Sequence, residues 1–553
     1  MNSKLLLLPT ALMVAGNSVA EAKGKKSDKR PNILVILADD LGYSDLGCYG
    51  SEIHTPNLDK LAQEGVRFNH FYNASRSCPT RASLLTGLYQ HQAGIGRMTF
   101  DAHLPGYRGT LSRNAVTIAE VLKEAGYTTS MVGKWHVAET PLRKDQREWL
   151  AHRVFHDTFS DLCHYPVNRG FDSHYGVIYG VVDYFDPFSL VEGEVPIKEV
   201  PDGYYITQAL SDRAVQEIEE YAKDDKPFFM YLAYTAPHWP LHALPEDIEK
   251  YKDTYKVGWE AIRNARYERQ KQLGIFPGMD NFLSERQFHD KWEDNPHAEW
   301  DARAMAVHAA MIDRVDQGIG QVIEALKKTG QLDNTLILFL SDNGCSNEDC
   351  QNMTGGEMTR DGKKIIYPRN KQVLPGPQTT YASLGARWSN VANTPFRFWK
   401  AKSYEGGICT PMIAHWPKGI KKNVGGMTSE IGHVMDIMAT CIDLADAEYP
   451  TTYKGHDILP MEGKSLLPIF KTGHRKGHDY LGFEHFNERA FLSNDGWKLV
   501  RPKNNSQWEL YNLNEDRSEQ HDLAAKYPEK VAEMAKAYEA WAKRCMVEPY
   551  PGQ

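Results

Sequence analysis

The feature that most constrains the fold is an alternation of short apolar runs with longer amphipathic segments. The first run, Asn32–Ala38, is hydrophobic almost throughout, as is typical of strands buried on both faces of a parallel sheet. Three further apolar runs, each preceded by a segment with helical spacing, lie at 127–132, 228–234 and 335–340. The preceding helical segments lie at 116–125, 206–221 and 302–330. The alternation predicts an α/β fold: a large, doubly wound, mostly parallel sheet flanked by helices.

The pattern changes near Gly473, where strand-like segments become short and are separated by turn residues. These segments lie at 490–493, 498–501 and 509–513, and an amphipathic helix follows at 527–543. We therefore expect a catalytic domain over residues 31–474 and, over residues 475–553, a smaller C-terminal α+β subdomain. That subdomain is predicted to be an antiparallel sheet with one helix.

Residues 1–20 have the composition of a secretory signal peptide: a basic start, an apolar stretch at 5–16 and small residues at 18–20. The alternative is a buried N-terminal helix. The signal-peptide interpretation makes residues 21–30 a basic leader and the mature protein periplasmic or secreted. No cysteine directly follows the cleavage position, and no later apolar run is long enough to span a membrane. We therefore expect no membrane anchor.

Net charge and cysteine content exclude some classes of partner and metal. The formal charge is −8, from 64 basic and 72 acidic residues, which argues against nucleic acid as a partner. The 8 cysteines of an exported chain permit disulfides, but their spacing does not form a zinc site. Cys345 and Cys350 are close enough in sequence to bridge, whereas Cys441 lies in an apolar stretch and is expected to be a buried thiol.

Reactive side chains follow four of the predicted strands, at 39–40, 134–136, 238 and 342–343. In open α/β sheets, ligands bind outside the carboxyl ends of the strands. Any one of these endings could be an ordinary helix cap or turn. Because four such endings would meet at one edge of one sheet, the sequence predicts a functional site there.

The residues at this edge belong to two chemical groups. One group consists of hard oxygen ligands, which suit Ca²⁺ or Mg²⁺ better than Zn²⁺: Asp39, Asp40, Asp342 and Asn343. The other group consists of basic side chains, which suit an anionic substrate and proton transfer: Lys134, His136 and His238. A divalent cation beside basic groups is typical of a site for a tetrahedral oxyanion, either sulfate or phosphate.

Ser77 lies just ahead of a predicted helix at 79–87, where free N–H groups and the helix dipole attract anions. A plain serine at this position is more often a helix cap. However, Ser77-Cys78-Pro79-Thr80-Arg81, followed by a helix that ends in Leu-Leu-Thr-Gly, resembles the signature of the formylglycine-dependent sulfatases of the alkaline phosphatase superfamily. The resemblance implies that a Ser-type maturase oxidises Ser77 to formylglycine (3-oxoalanine). Cys78 is one place too late to be the modified residue.

The resemblance extends from residue 31 to about residue 544. Further matching blocks, in the right order, lie at 32–40, 133–136, 236–238, 341–344, 396–400 and 405–407. The implied metal ligands, for Ca²⁺ with Mg²⁺ as the alternative, are Asp39, Asp40, Ser77, Asp342 and Asn343. The second sulfate-binding lysine of the family is assigned to Lys400, with Lys402 as the competing assignment, and Arg81 would hold the hydrated aldehyde and the carboxylates.

The resemblance also implies a mechanism for sulfate ester hydrolysis. The hydrated aldehyde at Ser77 attacks sulfur while the metal, Lys134 and Lys400 neutralise the sulfate oxygens. His238 protonates the departing alcohol. His136 then takes the proton of the second hydroxyl, which expels sulfate and restores the aldehyde.

The substrate is less constrained than the chemistry. Segments 259–273 and 482–490 resemble a bacterial subgroup that acts on carbohydrate sulfates, which implies a sulfated carbohydrate, such as a host glycan, cleaved in an exo manner. The second segment departs from the usual Trp-Glu-His-Glu-Gly-Asn-Arg-Ala, so its pocket chemistry is partly altered. Candidate substrate-binding residues are Asp183, Glu484, His485 and Asn487. The sequence fixes neither the sugar nor the position of its sulfate.

Two other functions remain open at this point. A phosphodiesterase or phosphonate hydrolase could use the same site plan, although the Ser-x-Pro-x-Arg motif with ligands for one metal favours sulfate. A non-catalytic glycan-binding relative would be expected to have lost Ser77, a histidine or a lysine, and all are present. His308 and Asp313, in the long helical segment, are interpreted as helix surface or satisfied core.

Overall fold

The computed structural model describes residues 1, 30–141, 152, 155–278, 282–353, 359, 362–503 and 506–551. The predicted signal peptide (1–20) and leader (21–30) therefore lie outside the described residues, except for Met1 and Arg30. Among the helices that are described, none has the length and apolar character needed to cross a membrane.

The described chain forms strands and α-helices that are numbered here in chain order. The strands are β1 Asn32–Ala38, β2 Val66–Phe68, β3 Phe71–Tyr72, β4 Thr128–Lys134, β5 Ser173–Val177, β6 Leu190–Glu192, β7 Val195–Pro196, β8 Phe228–Ala233, β9 Thr335–Ser341, β10 Met412–His415, β11 Met427–Thr428, β12 Gly432–His433, β13 Thr452–Tyr453, β14 His456–Asp457, β15 Tyr480–His485, β16 Glu488–Ser493, β17 Trp497–Arg501 and β18 Glu509–Asn512. The helices are α1 Pro56–Glu64, α2 Ser77–Thr86, α3 Ile118–Glu124, α4 Ile206–Tyr221, α5 Pro245–Glu249, α6 Trp259–Gln272, α7 Ala298–Lys328, α8 Ala386–Ala392, α9 Glu405–Ile408, α10 Asp436–Ala445, α11 Leu467–Thr472 and α12 Pro528–Arg544.

A central sheet dominates the molecule, with strand order β11-β2-β10-β9-β1-β8-β4-β5-β6-β7. The middle strands β9, β1, β8, β4 and β5 are parallel, whereas β10, β6 and β7 pair antiparallel with their neighbours. The prediction of a mostly parallel sheet flanked by helices is therefore confirmed, and antiparallel strands enlarge it at both edges.

Strand β1 shows why its sequence is hydrophobic without alternation. Leu34 and Ile36 enter one core, together with side chains of α1, α4 and α7. Ile33 and Val35 enter a second core on the opposite face, with side chains of α2, α3 and α10. Because both faces of the strand are covered, every position needs an apolar side chain.

The C-terminal region forms the predicted smaller sheet. Strands β15 to β18 pair antiparallel in sequence order, and α12 packs on them through Met534, Tyr538 and Trp541. These side chains belong to the same continuous core as helices of the central sheet. The subdomain is thus packed onto the catalytic domain by apolar contact.

Two local predictions need correction. Helix α2 begins at Ser77 and not at Pro79, so Ser77 lies in the first turn. Strand β4 runs to Lys134, so this lysine is the last residue of the strand and does not follow it. Cys345 and Cys350 do not bridge, and all 8 cysteines are free thiols, including the buried Cys441.

Candidate active site

The strand order brings the four reactive strand ends together. Strands β9, β1, β8 and β4 are consecutive neighbours in the sheet and run in the same direction. Their carboxyl ends therefore lie side by side at one edge. The side chains that follow them, together with the start of α2, form one buried polar cluster.

Ser77 lies at the centre of this cluster and is 2% exposed. Its Oγ is 2.8 Å from Asp39 Oδ1 and 2.6 Å from Asp342 Oδ2. The thiol of Cys78 points elsewhere, with its Sγ 3.4 Å from the carbonyl oxygen of Arg97. The serine, and not the neighbouring cysteine, therefore faces the carboxylates.

Arg81, one turn further along α2, ties the helix to the strand ends. Its Nε and Nη2 donate to Asp342 Oδ2 at 3.2 and 2.9 Å, and its Nη1 donates to the carbonyl of Lys134 at 2.7 Å. A planar fork with several donors can hold a carboxylate and a carbonyl at once. Arg81 thereby fixes Ser77 relative to β4 and β9.

Two lysines pair with the adjacent carboxylates Asp39 and Asp40. Lys134 Nζ donates to Asp39 Oδ2 at 2.5 Å. Lys400, which follows α8 by a loop, lies 2.9 Å from Asp40 Oδ1 through its Nζ. Lys402 does not enter the cluster, because its ammonium pairs with Glu488 at 2.5 Å. The lysine assigned from the sequence is thus the one that reaches the carboxylates.

The two histidines of the cluster lie in different surroundings. His238 Nε2 is 3.3 Å from Lys400 Nζ and 3.5 Å from Asp40 Oδ2. His136 has a left-handed backbone with φ of 55° and is nearly buried, and a Cβ placed on Gly180 would be 2.4 Å from its Nε2. Gly180 is therefore required for the imidazole to occupy this position.

Burial and neighbouring charges shift the pKa values of these groups in opposite directions. Burial lowers the pKa of His136 far below its usual value, and Lys134 adds to this effect. Burial also lowers the pKa of His238 and of Lys134. Burial and the charge of Asp39 raise the pKa of Asp342. Burial favours the neutral form of Asp39 as well, but Lys134 and His238 outweigh it and hold the pKa of Asp39 below its usual value.

The donor set of the cluster fits a hard divalent cation. Ligand atoms of Asp39, Asp40 and His238 lie within 4.8 Å of one another. Asn343 Nδ2 donates to Asp40 Oδ1 at 2.6 Å, while the buried Asn343 Oδ1 accepts no hydrogen bond from the described residues. A buried oxygen without a donor is costly and is well matched by a cation.

The four predicted substrate-binding residues do not share one environment. Asp183 is buried and accepts hydrogen bonds from the backbone N–H groups of Phe185 and Asp186, and burial raises its pKa to about 7. Glu484 and His485 are also buried, on β15. Asn487 lies at the tip of the β15–β16 turn and lines a cavity that also contacts Lys400.

Sequence reasoning missed Glu348 and Arg76. Glu348 Oε2 lies 3.2 Å from Lys400 Nζ and accepts from Trp239 Nε1 at 2.7 Å, and its Oε1 accepts from Arg76 at 2.8 Å. The position of Arg76 directly before Ser77 was the one available signal. Glu348 lies in a loop whose side-chain direction no periodicity reveals.

His308 and Asp313 are satisfied core residues, as one of the two interpretations proposed. His308 Nε2 is 3.0 Å from Asp45 Oδ2, and Arg266 Nη1 holds the other oxygen of that carboxylate at 2.7 Å. Asp313 accepts from Tyr251 at 2.8 Å. Cys345 lies beside Asp45 and His308, but the arginine already neutralises the carboxylate, so this group is a structural network.

Comparisons with known proteins match this chain to a known family. Residues 31–447 match the sulfatase family, and residues 396–543 match the family described as N-sulphoglucosamine sulphohydrolase, C-terminal. An uncharacterized sulfatase of Schizosaccharomyces pombe is 33% identical over 539 residues, 92% of each chain. The arylsulfatase of Klebsiella aerogenes is 33% identical over 488 residues, which cover 86% of this chain and 98% of its own.

Two further proteins extend the comparison to carbohydrate sulfatases and solved structures. The N-acetylglucosamine-6-O-sulfatase of Bacteroides thetaiotaomicron is 26% identical over 98% of this chain and 91% of its own. The crystal structure of Ps i-CgsB in complex with k-i-k-neocarrahexaose superposes with a TM-score of 0.64 at 28% identity over 93% of each chain. The chain therefore belongs to the sulfatase family and is a sulfuric ester hydrolase.

Proposed function

We propose that the protein hydrolyses sulfate esters of carbohydrates, with formylglycine formed from Ser77 as the nucleophile and Ca²⁺ as the metal. The observation that carries the proposal is the position of Ser77 Oγ, within hydrogen-bonding distance of Asp39 and Asp342. Lys134 pairs with Asp39, and Lys400 pairs with the adjacent carboxylate of Asp40. A nucleophile in one cluster with carboxylate ligands and two ammonium groups is suited to attack on an anionic ester.

The metal would be held by hard oxygen atoms, and Ca²⁺ accepts six to eight of them in a flexible arrangement. The proposed ligands are Asp39, Asp40, position 77, Asp342 and Asn343. When present, formylglycine supplies a nucleophilic hydroxyl and a second hydroxyl that permits release of sulfate, and the cation neutralises sulfate oxygens.

The side chains of the protein perform the remaining steps. Lys134 and Lys400 bind the sulfate oxygens and stabilise the charge that develops on them. His238, held next to Lys400, protonates the departing alcohol oxygen, and His136 accepts a proton at position 77. Arg81 holds Asp342 and the end of β4 in a fixed position relative to the first turn of α2.

Carbohydrate sulfates are proposed as substrates because the names of two relatives refer to sugars. One relative is named an N-acetylglucosamine-6-O-sulfatase, and the other was solved in complex with k-i-k-neocarrahexaose. We propose exo action on a glycan in the periplasm or outside the cell, after export through residues 1–20. Maturation requires a Ser-type formylglycine-generating enzyme as a partner.

The test is an activity assay on protein co-expressed with a Ser-type maturase. We expect sulfate release from monosaccharide sulfates, a loss of roughly a thousandfold or more in Ser77→Ala, and loss of activity with EDTA that Ca²⁺ restores. Ser112→Ala is the matched control, because Ser112 is a half-buried serine outside the cluster. Cleavage of a phosphodiester in preference to every sulfate ester, or full activity in Ser77→Ala, contradicts the proposal.

A further inference from the structure

A cavity of about 530 Å³ opens beside Lys400 and joins the catalytic domain to the C-terminal sheet. Its lining includes Trp399, Lys400 and Lys402 from the catalytic domain, and Phe486, Asn487 and Glu488 from the C-terminal turn. Small-molecule sites have volumes of roughly 300–1,000 Å³. Lys400 also contacts Asp40, so the cavity and the catalytic cluster share this residue.

The turn that enters the cavity has an unusual backbone. Phe486 and Asn487 connect paired residues of β15 and β16, and both adopt left-handed conformations, with φ of 50° and 66°. Two-residue turns of this kind need positive φ at both positions and normally use Asn-Gly or Asp-Gly. A bulky phenylalanine in this conformation is an outlier. Strained backbone of this kind concentrates at ligand-binding sites.

The left-handed turn places the aromatic ring of Phe486 at the surface, next to polar groups. Phe486 is 39% exposed, and the Arg97 guanidinium lies 4.6 Å from its ring centroid. The cation supports the ring from outside the C-terminal sheet and fixes its orientation. A sugar ring presents apolar C–H groups on its faces and hydroxyls at its edge. An aromatic face beside hydrogen-bonding groups can contact both.

Asn487 has a side-chain acceptor that the described residues do not use. Its backbone N–H donates to Glu484 Oε1 at 2.7 Å, and Glu484 Oε2 is 2.8 Å from His91 Nε2. The Asn487 Oδ1 atom is buried and accepts no hydrogen bond from the described part of the chain. Glu484 thus fixes the backbone of Asn487 at the cavity wall, which Asn487 lines.

We infer that Phe486 and Asn487 form the seat for the sugar ring that carries the scissile sulfate, and that Glu484 is a positioning residue for Asn487. This inference rests on the proposed function. The Phe486 ring packs on the C–H face of the sugar, and the Asn487 amide bonds a ring hydroxyl. A simple aryl sulfate has no hydroxyl for Asn487, so the seat favours saccharide sulfates over aryl sulfates.

The test measures kcat/KM on a panel of monosaccharide sulfates and on p-nitrophenyl sulfate, using matured full-length protein. In Asn487→Gly, which fits the left-handed backbone, we expect the saccharide-to-aryl ratio of kcat/KM to fall about tenfold, chiefly through KM on saccharides. The matched control is Asn423→Gly, because Asn423 is exposed and also left-handed, with φ of 56°. Its ratio should equal that of the wild type.

Each outcome has a separate meaning. A fall in the saccharide-to-aryl ratio of kcat/KM in Asn487→Gly, but not in Asn423→Gly, supports the sugar seat. Glu484→Gln should then show a smaller fall in the same ratio. An unchanged ratio in Asn487→Gly, with saccharides still cleaved, overturns the seat alone. Cleavage of p-nitrophenyl sulfate but of no saccharide by the wild type overturns the seat together with the proposed carbohydrate substrate.

Discussion

At the scale of single residues, the site is built from charges that neutralise one another in a buried space. Lys134 pairs with Asp39, and Lys400 pairs with Asp40 and Glu348. Buried charges persist only where they are paired and hydrogen-bonded. In the proposed mechanism, each ammonium group exchanges part of its carboxylate contact for the sulfate.

Glu348 provides the sharpest residue-scale prediction. Burial favours its neutral form, but Lys400 and Arg76 outweigh burial and hold the pKa of Glu348 far below its usual value, so its charge positions Lys400. In Glu348→Gln we expect kcat on a sulfate ester to fall about tenfold, because Lys400 loses one of its two carboxylate partners. KM should not rise, since a negative charge that competes with the substrate is removed.

The control for this prediction is Asp349→Asn, which removes the same charge from the exposed neighbouring residue. Steady-state kinetics on both variants separates the two parameters. A Glu348→Gln enzyme with unchanged kcat, or with its whole loss in KM, would show that Glu348 does not position Lys400.

Site residues at the end of a strand could be predicted from the sequence, whereas site residues in loops could not. Asp39, Lys134 and Asp342 could be named because the end of an apolar run fixes their place at the sheet edge. Glu348 could not be named in this way, since its contact with Lys400 joins residues 52 positions apart through two irregular segments.

At the scale of elements, the parallel order of β9, β1, β8 and β4 explains why distant strand ends meet. The alternation of apolar runs and helical segments predicts parallel strands, but it does not give their order. The short edge strands β6, β7 and β11 were not predicted, because two or three residues carry no periodicity. The start of α2 at Ser77 was also missed, because a proline in the first turn marks a helix start only to within a residue or two.

Helix α10 provides an element-scale prediction of pH dependence. Asp436 begins this helix, is fully buried, and accepts from Arg475 at 2.6 Å and from His478 at 2.7 Å. Burial favours the neutral carboxyl, but His478 and Arg475 outweigh it, so the pKa of Asp436 lies well below its usual value. A depressed carboxyl pKa stabilises the fold above the unfolded pKa of about 4, and this contribution is lost as the pH falls towards the folded value.

We therefore expect Asp436→Asn to lower the free energy of unfolding by about 3–5 kcal/mol at pH 7, since it breaks a buried pair. The difference from the wild type should shrink steadily below about pH 4. Denaturant unfolding of both proteins at several pH values measures this difference in the free energy of unfolding. Asp443→Asn, at an exposed position of the same helix, should have little effect at any pH. A difference that stays constant with pH would contradict the role of the charge.

At the scale of the whole molecule, a buried ionic cluster joins the C-terminal sheet to the catalytic domain. Lys498 on β17 lies 2.9 Å from Glu405 and 2.7 Å from Glu519, and all three side chains are fully buried. Arg517 pairs with Glu405 as well and donates to the carbonyl of Asn69 at 2.8 Å. The cluster lies beside an apolar core that is continuous between the two parts.

This arrangement predicts that the two parts unfold together. Arg517→Met should lower the free energy of unfolding by about 3–5 kcal/mol, because Glu405 keeps its charge without this partner. The double variant Arg517→Met with Glu405→Gln should recover part of that loss, since both charges are then absent. Calorimetry should show one transition in each protein. A separate early transition of the C-terminal part would contradict the joint core.

The α/β architecture was predictable because the periodicity of apolar residues indicates which positions are buried. The ionic contacts between the C-terminal sheet and the catalytic domain were not predictable. Lys498 and Glu405 are 93 residues apart, and nothing in their sequence surroundings marks them as partners. The boundary proposed near residue 474 describes a change of strand pattern, and it does not describe two independent cores.

The central claim, that Ser77 becomes formylglycine, is tested most directly by the mass of the tryptic peptide 77–81 from protein co-expressed with a Ser-type maturase. We predict a peptide lighter by two hydrogens than its sequence requires, with fragmentation placing the loss at Ser77 and an intact, alkylated Cys78. The same preparation should release sulfate from sulfated sugars. Two results would contradict the mechanism. One is an unmodified Ser77 in co-expressed protein that releases no sulfate, and the other is an unmodified Ser77 in protein that releases sulfate at full rate.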